Sequence, residues 1–312
     1  MISTDDRSDG NSASTYRDFL TRSARTLPDS DTAFLDVSLL LAHCLGVTRT
    51  ELLGRMPVAL DKEPGDPELQ LFDALMARRR SGESVAYILG RREFFGRCFV
   101  VTKDVLVPRP DTETLVQAAL EVGESFALGP GAAGAPLRLH DVCTGSGAVA
   151  ISIACERPRW QVSASDLSEA ALAVARENSL RLLGREFQFV RSDLLDGVAA
   201  AFTAISASEA RPFDIITANP PYVTSDEVDA LMASGWKEPR LALDGGPDGL
   251  DLIRRLVLQA PPLLSHGGYF LVETDPLQVN TVCDMLVEAG FDDLRVWQDL
   301  AGRRRVSGGR LT

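Results

Sequence analysis

The chain has 312 residues, a formal net charge of −12, three histidines and five cysteines. Its 45% hydrophobic and 24% charged content is that of a globular protein with room for one large or two modest domains. No apolar run reaches the ~18 residues a membrane-spanning helix needs, and the acidity opposes direct binding to nucleic acid, whose affinity rests on phosphate contacts.

Residues 1–14 are polar and acidic and lack the basic start and apolar core of a signal peptide; they read as a disordered lead-in. From residue 15 to 84 apolar residues recur at three-to-four spacing (Phe19, Leu20, Leu27, Phe34, Leu35, Leu39, Leu40), which predicts a small all-helical domain. Asp31 or Thr32 is placed to cap its second helix and Gly46 to end it. His43 falls on the apolar stripe and is expected in the core or at its rim. Residues 85–108 change texture: AYIL at 86–89 and FFGRCFVV at 94–101 are rich in strand formers, which predicts a β-hairpin bridging two domains. Asp111 or Thr112 can then cap a helix beginning at Glu113, and residues 129–136 (GPGAAGAP) read as a flexible connector.

The second domain is expected over residues 109–312. Strands are expected near 137–142, 162–166, 187–191, 213–218, 267–273 and 291–298, and helices near 147–156, 168–183, 250–264 and 276–289. Strand and helix alternating at this length imply an α/β, doubly wound, Rossmann-like parallel sheet, with residues 303–310 as an added antiparallel edge strand. Cys44, Cys98, Cys143, Cys155 and Cys283 are scattered with no CxxC pair, which argues against a metal site or a disulfide frame and for a cytoplasmic protein.

Two stretches carry chemistry. In the first, Asp141 precedes Cys143-Thr144-Gly145-Ser146-Gly147, a glycine-bearing turn between the first strand of the sheet and a helix, where backbone can approach a ligand closely. Asp166 ends the next strand, near the ~20-residue interval at which an acidic residue meets a ribose. Asp193 and Leu194 end the third, placed to touch an adenine edge and face. The loop is not GxGxxG, and a sulfonium donor without phosphates suits the Asp141 carboxylate better than NAD does; S-adenosylmethionine is the expected cofactor. For Asp141 and Asp193, helix capping is the rival role.

The second stretch is Asn219-Pro220-Pro221-Tyr222, delivered by an apolar strand to the sheet's carboxyl edge. Two prolines remove two donors and fix two φ angles, so the corner is stiff. Asn219 Oδ1 and the Pro220 carbonyl can each accept one N–H of an NH₂ group, and Tyr222 offers a flat wall. Such a clamp favours the charge that develops on a nitrogen receiving a methyl group, and positioning does most of the rest. No nucleophile elbow is present for His140 or His266, and both are assigned to structure. Glu273 ends the fifth strand without an evident partner.

These motifs, with residues 86–90 (AYILG), 93–96 (EFFG), 105–113 (VLVPRPDTE), 238–243 (EPRLAL), Gly245-Gly246 and 299–303 (DLAGR), give the chain a resemblance to the peptide-chain release factor glutamine N5-methyltransferase family. The resemblance implies methyl transfer from S-adenosylmethionine to the Gln of the Gly-Gly-Gln tip of class I release factors. In it the helical domain grips the factor, the loop 143–147 with Asp166, Leu194 and Asn219 holds the donor, and residues 219–222 hold the glutamine amide. It further implies a monomer with a protein partner rather than nucleic acid or membrane. Two departures stand out. Cys143 replaces the first loop glycine, which costs stability if that position needs positive φ, and Glu273 is followed by Thr274-Asp275-Pro276 in place of the family's usual Glu-Ile/His-Gly. The competing readings are an amino-methyltransferase of DNA or RNA bases, one acting on a glutamine of another protein, and a donor-binding scaffold without turnover.

Overall fold

The computed structural model describes residues 14–27, 30–63, 65–127, 136–204 and 211–312. The lead-in, apart from Ser14, and residues 129–135 of the connector lie outside these. The chain divides into two units, residues 1–89 and 90–312.

Among the described residues the first unit contains α1 (Tyr16–Ala24), α2 (Ala33–Cys44), α3 (Arg49–Gly54), α4 (Pro67–Arg80) and α5 (Val85–Leu89). Capping boxes start α1 (Thr15 with Asp18) and α3 (Thr48 with Glu51), each satisfying backbone donors that the first helical turn leaves unpaired. Leu20, Val37, Leu40, Leu41, Leu52 and Phe72 form the core. Thr32 occupies the N-cap position of α2 but makes no side-chain cap bond; its hydroxyl donates to Asp36 instead. His43 is exposed, off the buried stripe expected for it. Residues 85–89 are helical, against the strand expected there. The Ser84 hydroxyl accepts from Tyr87 N at 3.2 Å, starting a helical turn, and Ile88 packs into the helical core, so local capping and packing override strand propensity.

The second unit opens with an antiparallel hairpin, β1 (Arg91–Phe94) and β2 (Arg97–Val100). Phe94 and Phe99 are buried in the same core as Leu115, Val149 and Leu139, so the hairpin is part of this unit rather than a linker. There follow α6 (Glu113–Ala127), β3 (Arg138–Val142), α7 (Ala148–Glu156), β4 (Gln161–Asp166), α8 (Glu169–Leu183), β5 (Gln188–Arg191), α9 (Asp196–Ala204), β6 (Phe213–Ala218), α10 (Ser225–Ala233), α11 (Asp251–Gln259), β7 (Leu264–Glu273), α12 (Val279–Glu288), β8 (Phe291–Gln298) and β9 (Arg304–Leu311). Asn178 of α8 anchors the hairpin: its Oδ1 accepts from Val100 N at 2.7 Å and its Nδ2 donates to Val100 O and Ser146 O.

Seven strands form one sheet in the order β5-β4-β3-β6-β7-β9-β8. β5 to β7 run parallel, and β9 is antiparallel to both its neighbours. The expected edge strand is therefore internal, and β8 forms the edge. The burial explains the order: residues 305–309 of β9 are buried, whereas most of β8 is at least partly exposed. A side chain at Gly308 would put its Cβ 2.4 Å from Leu271 Cδ2 and 3.0 Å from the Trp297 ring, so glycine lets these two side chains keep their places across β9. All six residues of β6 are buried, as a strand covered on both faces requires. The strand order reverses between β3 and β6, and the carboxyl ends of strands at such a point form the crevice in which α/β sheets bind ligands.

Candidate active site

A cavity of about 460 Å³ opens at that crevice. Its wall includes Asp141, Cys143, Thr144, Gly145 and Ser146 after β3, Asp166 after β4, Asp193 and Leu194 after β5, and Asn219 and Pro221 after β6. Gly147, Pro220 and Tyr222 are not on this wall.

The loop after β3 is held from below. Thr144 N donates to Ser165 O at 3.0 Å and Gly147 N to Thr144 O at 2.8 Å. Asp141 is a brace: its carboxylate accepts from Thr144 Oγ1 and Thr217 Oγ1, both at 2.7 Å, joining loop, β3 and β6. Burial pushes its carboxyl up to about 6, opposed by those two hydroxyls. Asp166 accepts from Gly145 N and Ser168 N, each at 2.9 Å, which shapes the loop against the end of β4. Burial raises its pKa as well, with the backbone donors opposing. Gly147 does not face the cavity; it sits at the N-cap of α7 with φ +80°. Cys143 has φ +56°, the left-handed conformation anticipated for the family's missing glycine. A side chain there costs about 1–2 kcal/mol. Its thiol is pushed well up by burial and by the neighbouring Asp166, Asp141 and Asp193, which leaves it protonated and a poor nucleophile.

Asp193 pairs with Arg255 of α11 at 2.9 Å, and Arg255 also lines the cavity. Nothing in the residue pattern marked Arg255; α11 reads simply as an amphipathic helix. His140 is buried between Ser163 and Ser165, 2.9 Å from each hydroxyl, and burial lowers its pKa to about 3, so it is a neutral structural residue.

The corner after β6 is buttressed by residues 243–249. Val223 N donates to Leu243 O and Gly245 N to Val223 O, while Gln278 Nε2 donates to Tyr222 O at 3.0 Å. A Cβ on Gly245 would lie 2.7 Å from Pro221 O and 2.8 Å from Tyr222 Cα. Both are backbone atoms that cannot swing aside. Gly245→Ala is expected to displace the corner and lower turnover about tenfold, with donor affinity retained; steady-state kinetics beside donor calorimetry checks this.

Asn219 Nδ2 donates to Thr112 Oγ1 at 3.2 Å. Among the described residues, no donor reaches Asn219 Oδ1 or the Pro220 carbonyl. Tyr222 packs on the core formed by Ile216, Ala218 and Val272, and its hydroxyl donates to Glu273 Oε1 at 3.3 Å. It therefore faces the interior, and the flat wall expected from it is not part of the cavity. Burial and the adjacent Glu273 raise its pKa.

Each polar residue of the segment 109–113 makes a separate tie. Arg109 pairs with the buried Glu238 at 2.5 Å, Asp111 with Arg305 of β9 at 2.8 Å, Thr112 donates to Glu273 at 3.2 Å, and Glu113 accepts from Phe95 N at 2.8 Å. Asp111 and Thr112 thus serve tertiary contacts rather than the helix cap expected of them. Glu238 also takes Val107 N and Trp236 Nε1, tying two stretches that supply cavity residues. The sequence motif located this segment, but the partners of Arg109, Asp111 and Thr112 lie more than 100 residues away along the chain.

Burial pushes the Glu273 carboxyl up to about 7, against the hydroxyls of Thr112 and Tyr222 and the charge of Arg305, with Asp111 adding to the rise. A folded pKa above the unfolded one stabilises the protein below about 4.5, and that contribution is lost as pH climbs through about 7. Glu273→Gln removes this titration. Its stability relative to the parent is expected to rise by about 2 kcal/mol between pH 5 and pH 8. Denaturant unfolding at the two pH values checks it; an unchanged difference contradicts it.

The lining of the cavity suits a cationic ligand. The Cβ position of Gly145, φ +56°, faces open space on the cavity wall, where any side chain would intrude. Asp104, Asp141, Asp166, Asp193 and Asp244 line the cavity together with Lys103, Arg109 and Arg255, so carboxylates outnumber cations five to three, a balance that favours a positively charged ligand. Among the described residues, no group of His, Cys, Asp or Glu is arranged to hold a metal ion, and no helix is long and apolar enough to cross a membrane.

Residues 18–90 match the PrmC N-terminal domain family and residues 135–235 the methyltransferase small domain family. The chain is 39% identical over 282 residues to the release factor glutamine methyltransferase of Burkholderia pseudomallei, covering 89% of this chain and 92% of that one. It is 39% identical over 277 residues to the protein of the same name from Neisseria gonorrhoeae, covering 88% and 93%. Among solved structures, the hMettl16 catalytic domain in complex with an RNA hairpin of the MAT2A 3'UTR superposes with a TM-score of 0.53 at 15% identity, over 76% of this chain and 81% of that one, a likeness of fold. With that identity sustained across nearly the full length of both relatives, and with both domains matched, the chain belongs to the release factor glutamine methyltransferase family.

Proposed function

We propose that this protein transfers a methyl group from S-adenosylmethionine to the side-chain amide nitrogen of the glutamine in the Gly-Gly-Gln motif of class I release factors. The observation that carries the reading is Asn219 on the cavity wall with its Oδ1 unused among the described residues; the Pro220 carbonyl, likewise unused, is next to it and off that wall. Bound in the cavity, the donor supplies an electrophilic methyl on a sulfonium. Asp166 would take its ribose hydroxyls, Asp141 and the loop 143–146 its amino-acid portion, and Asp193 with Leu194 its adenine.

Asn219 and Pro220 do the chemistry's positioning. A carboxamide nitrogen is a poor nucleophile because its lone pair is delocalised into the carbonyl. Two acceptors on its two N–H bonds hold it in place and favour the positive charge that develops as the methyl arrives. Both acceptors are fixed before substrate binds, so little reorganisation is left for the reaction itself. The nitrogen loses a proton after transfer, when it has become strongly acidic, so no strong base is required. Tyr222, held neutral and turned inward, is not one.

The test is incubation of the protein and donor with a class I release factor, with the same factor carrying Ala for the motif Gln, and with duplex DNA and structured RNA. A gain of one CH₂ on the Gly-Gly-Gln peptide of the first alone is the expected result. Methylation of nucleic acid with none on the factor would overturn the reading.

A further inference from the structure

The reaction needs Asn219 to present its oxygen, not its NH₂, to the cavity. A carboxamide is nearly symmetric in shape, so something must choose. We infer that Glu273, a residue off the cavity wall, makes this choice through Thr112, as a positioning residue for the clamp; the inference rests on the function proposed above.

The choice follows from hydrogen-bond direction. Glu273 Oε1 receives Thr112 Oγ1 at 3.2 Å and Tyr222 Oη at 3.3 Å. A hydroxyl has one proton to give. With that proton committed to Glu273, Thr112 Oγ1 offers only lone pairs to Asn219, 3.2 Å away. Asn219 must then point Nδ2 at Thr112 and Oδ1 at the cavity. As a carboxylate, Glu273 has no proton to give, so Oε1 can only accept and the direction is fixed in the ionised form.

The chain is held from both ends. Thr112 is buried, and its neighbour Asp111 is clamped by Arg305. Glu273 is buried in β7, paired across the sheet with Val306. Glu273 Oε2 has no partner among the described residues, a group left unpaired that burial makes costly. That asymmetry makes glutamine an informative replacement. An NH₂ at the Oε2 position would bury two unpaired donors. At the Oε1 position it would donate to Thr112 and Tyr222, whose oxygens can both accept. The glutamine therefore takes the second arrangement, and the direction reverses: Thr112 donates to Asn219, whose oxygen turns away from the cavity.

The readout is the side-chain NH₂ of Asn219 in ¹⁵N-labelled protein, identified by its loss in Asn219→Ala. In the parent one of its protons is expected to exchange slowly with solvent. Glu273→Gln and Thr112→Val should each speed that exchange at least tenfold, and Thr112→Ser should preserve it. In parallel, kcat for the release factor should fall about tenfold or more in the first two, with the donor's Kd unchanged and Thr112→Ser close to the parent. The double variant Glu273→Gln/Thr112→Val should be no slower than the worse single one, because both break one chain. Parent-like Asn219 exchange in either Glu273→Gln or Thr112→Val, or multiplicative losses in the double variant, would overturn the inference. A parent protein that methylates no release factor would sink the proposed function instead, while the exchange measurement would still decide the direction of the chain.

Discussion

Replacing Asn219 by alanine is expected to reduce turnover on a release-factor glutamine by about 10²–10³-fold, the cost of removing one preorganised group that stabilises charge developing in a transition state. Donor affinity should fall far less, because the cavity residues after β3, β4 and β5 stay in place. The corner itself should survive, since Gln278, Gly245 and Val223 hold its backbone and the prolines hold its dihedrals. Single-turnover kinetics with saturating donor separates this from lost binding. Turnover equal to the parent's would mean that the amide is not held as described.

Asp166→Ala is expected to act on the other partner. The carboxylate ends β4 on the cavity wall and accepts two backbone N–H groups. Its removal deletes the acceptors placed for a ribose and frees Gly145 N, so the loop loses its shape as well. Charged hydrogen bonds contribute about 1.5–3 kcal/mol each, so the donor's Kd should rise about 10²-fold. The release factor's KM, measured at saturating donor, should change little. Calorimetric titration with donor decides the matter, and an unaltered Kd would remove the ribose assignment.

Much of the methyltransferase unit could be read from the chain because its signals are local. Alternating apolar runs and helices give β3 to β7 within a few residues of their observed limits, and the positive φ at Cys143 follows from a glycine that the family carries and this chain does not. What stayed hidden depends on contacts between distant residues. The place of β9 inside the sheet rests on its pairing with both β7 and β8, which no period reveals. The partners of Glu273 are contributed by Thr112 and Tyr222, far away along the chain. Residues 86–89 misled in the opposite direction: aromatic and β-branched composition suggested a strand, while Ser84 and the helical core imposed a turn of helix. The fate of Asp111 and Thr112 teaches the same lesson, because cap-like sequences were taken up by long-range partners.

The order of strands has a consequence for truncation of the chain. β8 precedes β9 along the chain, yet its only neighbour in the sheet is β9. β8 thus joins the sheet only through β9, and Arg305, which β9 carries, clamps Asp111 of the segment before α6. The neighbour of Thr112 is held by the chain's final strand, so truncation before residue 304 would remove a support of the cavity wall from nearly 200 residues away.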